Sequence, residues 1–323
     1  MRNGKERQQQ RWARLRRGCR GLLRACVLLF AGSVPGMAAE IQVILADEAP
    51  YYGEALTSLR DRLTELRPDA VVRTHTDPGK ALAEGGEADL LVAIGSKALG
   101  ATRAIPAGRG ALHLFVTRDD WLQQVARDPG LTQHSALVLD QPPVHLVALA
   151  RALLPKARAL AIVLGPVGRR HLEAVRDEAE GLGFEPLIGT LDANDNPLAV
   201  LSPLVRVADA VLVVPDNADF NSAMAKWLLQ LSFRARTPVI AFSNAYVRAG
   251  ALASVFTAPE DVGREGAELI AAGFTAGGLP REMRLPRRYS LAINRDVAQA
   301  LGIEVPDEAV CRQRIDAILE GRP

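Results

Sequence analysis

Several short polar stretches in this sequence are suited to holding a small molecule. Gly95-Ser96-Lys97, Pro215-Asp216-Asn217 and Phe242-Ser243-Asn244 each follow an apolar run, ending at Ile94, Val214 and Ala241. Thr117 follows another such run, Ala111–Val116, and Tyr51 and Tyr52 lie just beyond a first. Hydroxyl and amide groups orient a ligand by hydrogen bonding, and a tyrosine adds an apolar ring with a polar tip. Lys97 can meet a ligand carboxylate and Asp216 a ligand ammonium, the pairing that would recognise an amino acid. The same residues also suit local structure: Ser96, Asp216 and Asn217 are good turn and N-cap residues, and Ser243-Asn244 reads equally as a polar turn.

Catalytic and metal chemistry have less support. The sequence has no Gly-x-Ser-x-Gly elbow, P-loop, Gly-x-Gly-x-x-Gly or His-Glu-x-x-His. Its five histidines, His75, His113, His134, His145 and His171, are scattered without ligand spacing. No catalytic residue, metal or cofactor is expected. An enzyme using Asp140, Asp192 or Asp216 as acid or base remains the alternative from another class.

The elements that must position these loops alternate in kind. Apolar runs at Ile41–Leu45, Ala70–Arg73, Asp89–Ile94, Ala111–Val116 and Ala136–Leu139 predict strands, and Leu56, Leu59, Leu63 and Leu66 share one face of a helix near Tyr52–Leu66. Asp140-Gln141-Pro142-Pro143 interrupts the pattern, which restarts with strands at Ala159–Leu164, Glu185–Ile188, Ala210–Val214 and Pro238–Ala241. Repeated βα units predict mostly parallel sheets, and ligands bind such sheets at the carboxyl ends of their strands. The stretch 242–256 predicts two short buried strands joined by a polar turn. Two α/β lobes follow, 40–139 and 140–279. A tail, 280–323, with a strand at Tyr289–Ile293 and helices at Arg295–Leu301 and Glu308–Leu319, is expected to return toward the first lobe.

Residues 1–39 predict a cleavable signal peptide: a basic segment, the apolar run Ala25–Ala31, and small residues ending at Ala38-Ala39. Export to the periplasm is the expectation. The whole chain carries 39 Lys/Arg against 37 Asp/Glu, a net +2; without nine Lys/Arg and one acid of the leader, 30 bases face 36 acids, a net −6. That balance argues against a nucleic-acid partner. Only Cys311 remains beyond the leader, so no internal disulfide is expected, and the protein is expected to be a monomer.

These stretches carry a resemblance. PDNADFNSAMAKWLLQLSFRARTPVIAFSNAYVRAGALASVFTAPEDVGREGAELI (215–270), YSLAINRDVAQALGIEVP (289–306) and ADLLVAIGSKAL (88–99) resemble the corresponding segments of the ABC transporter substrate-binding proteins that include tryptophan-binding proteins. The resemblance implies a type I periplasmic-binding fold whose two lobes enclose a small molecule. It matches Ser96, Lys97, Asp216, Asn217, Ser243 and Asn244 to ligand loops, and Gly250 to a glycine before a second-lobe strand. The implied partners are an inner-membrane permease and its ATPase; a ligand sensor for a membrane signalling partner is the alternative. Thr117-Arg118-Asp119-Asp120-Trp121 departs from the Asp-Pro-containing segment of that family, a difference that points to a ligand other than an amino acid.

Overall fold

Two six-stranded sheets organise the chain. The computed structural model describes residues 39–77, 79–80, 88–104, 110–192, 194–216 and 218–321. The expected leader lies outside the described residues but for Ala39, and so does Asn217. Glu40–Pro323 form one unit.

The first sheet has the order β11-β5-β4-β3-β1-β2, built from β1 (Glu40–Leu45), β2 (Val71–His75), β3 (Leu90–Ile94), β4 (Gly110–Val116), β5 (Ser135–Val138) and β11 (Met283–Arg284). All its neighbours are parallel. The second has the order β12-β10-β9-β8-β6-β7, from β6 (Ala159–Leu164), β7 (Glu185–Thr190), β8 (Ala210–Val213), β9 (Val239–Ala241), β10 (Ala253–Phe256) and β12 (Ser290–Ile293). Only β12 runs antiparallel, beside β10. Strands such as Leu90–Ile94 and Ala210–Val213 are buried along their whole length, as expected where helices cover both faces of a parallel sheet.

The helix Pro50–Leu66 starts on a proline at its first turn, where the missing N–H costs nothing, and buries Ala55, Leu56, Leu59 and Leu63. Against it lies the helix Pro259–Ala276, whose Val262, Ala267 and Ile270 join the core of the first sheet. Gly263 makes the approach possible, since a Cβ there would lie 2.1 Å from the Ala55 carbonyl oxygen. Residues 259–276, expected with the second lobe, therefore pack on the first. The tail also divides. Met283–Arg284 pairs with β5, but Cys311 and Ile315 of the last helix, Glu308–Glu320, fill the second lobe's core beside Leu146 and Leu149. The apolar face of that helix finds its match there, not on the first lobe.

The chain thus crosses between lobes three times, at 139–142, 257–258 and 285–289. Gln141, buried, ties the three crossings together. Its amide nitrogen donates to Thr257 Oγ1 at 2.7 Å and to the Arg288 carbonyl at 2.8 Å, while Thr257 donates to the Leu139 carbonyl at 2.7 Å. His145 Nδ1 holds the side-chain amide oxygen of Gln141, Oε1, at 2.6 Å. A second anchor is Glu265, buried in the helix Pro259–Ala276, which accepts from the backbone N–H groups of Arg287 and Arg288.

Candidate functional site

A cavity of about 520 Å³ lies where the crossings meet the ends of both sheets, lined from the first lobe by Phe115, Thr117, Asp119, Asp120 and Gln123 and from the second by Val167, His171, Pro215, Asp216, Phe242 and Ser243. Leu139, Asp140, Gln141, Leu146, Phe256 and Thr257 complete it. Its size is that of a small-molecule site.

Phe115 reaches this cavity through an irregular backbone. The β4–β5 register shifts between Leu114 and Val116, and Phe115 adopts φ 60°, a left-handed conformation that side chains with a Cβ avoid. A bulge re-aims a side chain. Tyr51 stacks on the Phe115 ring at 5.4 Å and Tyr52 meets it edge-on at 5.3 Å. Tyr52 in turn lies over Gly95, where a Cβ would fall 2.6 Å from the phenol oxygen and the backbone has φ 96°. Burial, and then neighbouring Tyr51, pushes the Tyr52 hydroxyl up to about 12.

The carboxylates are each held. Thr117 caps the helix Arg118–Arg127 by accepting from the Asp120 N–H at 3.1 Å, and Ser96 donates its hydroxyl to Asp120 Oδ2 at 2.8 Å. Asp119 pairs with Arg170 of the other lobe at 2.6 Å. Asp140 accepts from the Arg118 N–H at 2.6 Å; burial raises its pKa, partly opposed by that bond. Asp216 accepts from the N–H groups of Val167 at 3.3 Å and Gly168 at 2.6 Å, closing the turn after β6. Burial, and then the Arg118 charge, lowers the pKa of His171 and favours the neutral ring.

Of the residues singled out in the sequence, Thr117, Asp216 and Ser243 line the cavity. Tyr51, Tyr52 and Ser96 stand one layer behind it, against Phe115 and Asp120. Lys97 points elsewhere and pairs with Asp47 at 3.5 Å. The expected turn after β9 is instead a short helix, Asn244–Ala249, preceded by Ser243, whose hydroxyl makes no capping bond. Asn244 is not among the lining residues, and Tyr246 packs in the core beside Phe242 at 5.3 Å. Gly250 ends that helix with φ 120°, a conformation that glycine adopts without penalty. Phe115 and Phe256 escaped the sequence reading because they look like ordinary strand residues, whereas Phe242 was named only as part of the stretch Phe242-Ser243-Asn244; the signal for Phe256, as for Phe242, was its position at the carboxyl end of a strand.

Comparisons with known proteins agree with this architecture. The fold is similar to that of a ligand-free, open substrate-binding protein with adhesive properties from Clostridium difficile, at 18% identity over 84% of this chain and 97% of that one, TM-score 0.66. It is similar to an ABC domain in complex with L-Trp from Streptococcus pneumoniae, at 20% identity over 84% and 98%, TM-score 0.54. A conserved domain protein from Vibrio cholerae matches at 21% identity over 85% and 98%, TM-score 0.54. No curated protein matches the sequence. These likenesses establish a type I periplasmic-binding fold with two α/β lobes. The family model described as ABC transporter substrate binding protein matches residues 140–314, over half of the sequence, and the chain belongs to that family.

Proposed function

We propose that this protein captures a small molecule between its two lobes in the periplasm and delivers it to an inner-membrane permease powered by an ATPase. The observation that carries the reading is the cavity itself, where strand-end loops of both lobes and the crossing segments converge. Apolar rings give contact area, and Thr117, Ser243, Gln141 and the carboxylates give orientation. The neighbouring Tyr51, Tyr52 and Ser96 hold lining residues in place, and Asn244 opens the short helix that follows the lining Ser243. Lobe closure about the crossings encloses the ligand. Its task is binding rather than catalysis.

The test is a thermal-shift screen of the purified protein against amino acids, amines, nucleobases, sugars and vitamins, repeated with Phe242→Leu. A ligand that binds only the folded state raises the melting temperature in proportion to the logarithm of its concentration above Kd. A saturable shift that Phe242→Leu removes supports the cleft; a shift unchanged in that variant places binding elsewhere and overturns the reading. Uptake of the identified compound, lost when the gene is deleted, would separate delivery from sensing.

A further inference from the structure

The wall of the cavity has one sign of charge. Four carboxylates face it, Asp119, Asp120, Asp140 and Asp216, and among the described lining residues there is no lysine or arginine. The lining imidazole, His171, is shifted toward its neutral form by burial. From outside the lining Arg170 pairs with Asp119, and the Arg118 and Arg169 charges act on Asp140 and Asp216. Asp120, by contrast, accepts from a neutral donor, the Ser96 hydroxyl. Such bonds orient a carboxylate and leave its charge in place. Lys97, the cation that sequence placed nearest a ligand carboxylate, is mostly exposed and turned to Asp47.

The rest of the wall is aromatic and aliphatic: Phe115, Phe242, Phe256, Leu139, Leu146, Val167 and Pro215. Phe115 presents its ring at the cost of a left-handed backbone, and Tyr51 stacks on it. Aromatic faces attract cations and repel anions, so the rings and the carboxylates favour the same kind of ligand. An amino acid would satisfy its ammonium here and leave its carboxylate facing like charges.

We propose that this cleft selects a small organic cation, an amine or quaternary ammonium with an apolar or aromatic body, over the matching amino acid or acid. The proposal rests on the cleft being the ligand site, and it adds the ligand's charge class. The carboxylates bind the cationic head by charge-assisted hydrogen bonds or by proximity, while the rings cover the body.

Isothermal titration of the purified protein with two matched sets tests it: 2-phenylethylamine, phenylalanine and 3-phenylpropionate, then tryptamine, tryptophan and indole-3-propionate. At least one amine is expected to bind more tightly than its zwitterionic and anionic counterparts by about ten-fold or more. Asp120→Asn, which keeps the acceptor for Ser96 but removes the charge, is expected to weaken amine binding by about ten-fold and narrow that gap. Added salt should weaken it as well. Unfolding curves of the variant show whether it folds, and Asp120→Ser serves if it does not. If a zwitterion or acid binds more tightly than its amine, and Phe242→Leu abolishes that binding, the charge assignment is overturned while the cleft stands. If no compound of either set binds in a way that Phe242→Leu removes, the charge assignment is overturned, and the cleft reading is decided separately by the broad thermal-shift screen with Phe242→Leu.

Discussion

Asp119 and Arg170 meet across the cleft at 2.6 Å, one from the helix that follows β4 and the other from the turn that follows β6. Each belongs to a different lobe, so the pair exists only while the lobes are close. The Arg170 side chain is 61% exposed, and water and salt screen such a pair to about 1 kcal/mol or less. That is too little to hold the lobes shut alone. It is enough to shift an opening equilibrium by a factor of up to about five.

Arg170→Ala is therefore expected to leave the unfolding midpoint nearly unchanged while lowering ligand affinity by up to about five-fold, because closure accompanies binding. Titration at low and high salt checks it. The difference between variant and wild type should shrink as salt rises.

At Phe115 the usual ranking of substitutions should invert. Alanine is ordinarily more stable than glycine, but at φ 60° a Cβ carries a penalty of about 1 kcal/mol that glycine lacks. Phe115→Gly is expected to be at least as stable as Phe115→Ala by urea denaturation, and both should lose ligand affinity with the ring. A clear stability advantage for alanine would contradict the backbone conformation.

Gly263 makes the opposite demand. A methyl group there would press into the backbone of the helix Pro50–Leu66, at 2.1 Å from one oxygen and 2.8 Å from the Leu59 nitrogen. Backbone cannot rotate away as a side chain can. Gly263→Ala is expected to cost about 1–3 kcal/mol in denaturant unfolding despite alanine's better helix propensity.

Acid should weaken the fold through His113. Burial, and then His134, draws this imidazole from 6.5 down to about 3, so the folded state keeps it neutral while the unfolded chain protonates near 6.5. Its contribution is intact above pH 6.5 and is lost progressively between 6.5 and about 3, at up to about 1.4 kcal/mol per pH unit for one proton. His134, His145 and His171 shift in the same direction, each first through burial. His113→Leu should flatten the pH dependence of unfolding by about one proton's slope.

Much of the fold was legible because parallel strands buried on both faces read as unbroken apolar runs. Leu90–Ile94 and Ala159–Leu164 declare themselves in this way. The lobe membership of the helix Pro259–Ala276 was not legible, since its apolar stripe would fit either core; a close approach at one glycine decides it. Of the candidate site, the strand ends were legible in that Thr117, Asp216 and Ser243 line the cavity. Tyr51 and Ser96 lie one layer back because side-chain direction is set by local backbone, and the Phe115 bulge takes the place at the wall. Asp119 and Asp120 look like ordinary first-turn helix acids, which electrostatics favours anyway.

The threefold crossing also orders the birth of the molecule. The first sheet gains its edge strand only with residues 283–284, and the second core waits for Cys311 and Ile315. Neither lobe is a contiguous stretch of gene. A chain emerging from its N-terminus can therefore finish neither lobe until nearly all of it has been made, and the first lobe can close before the second.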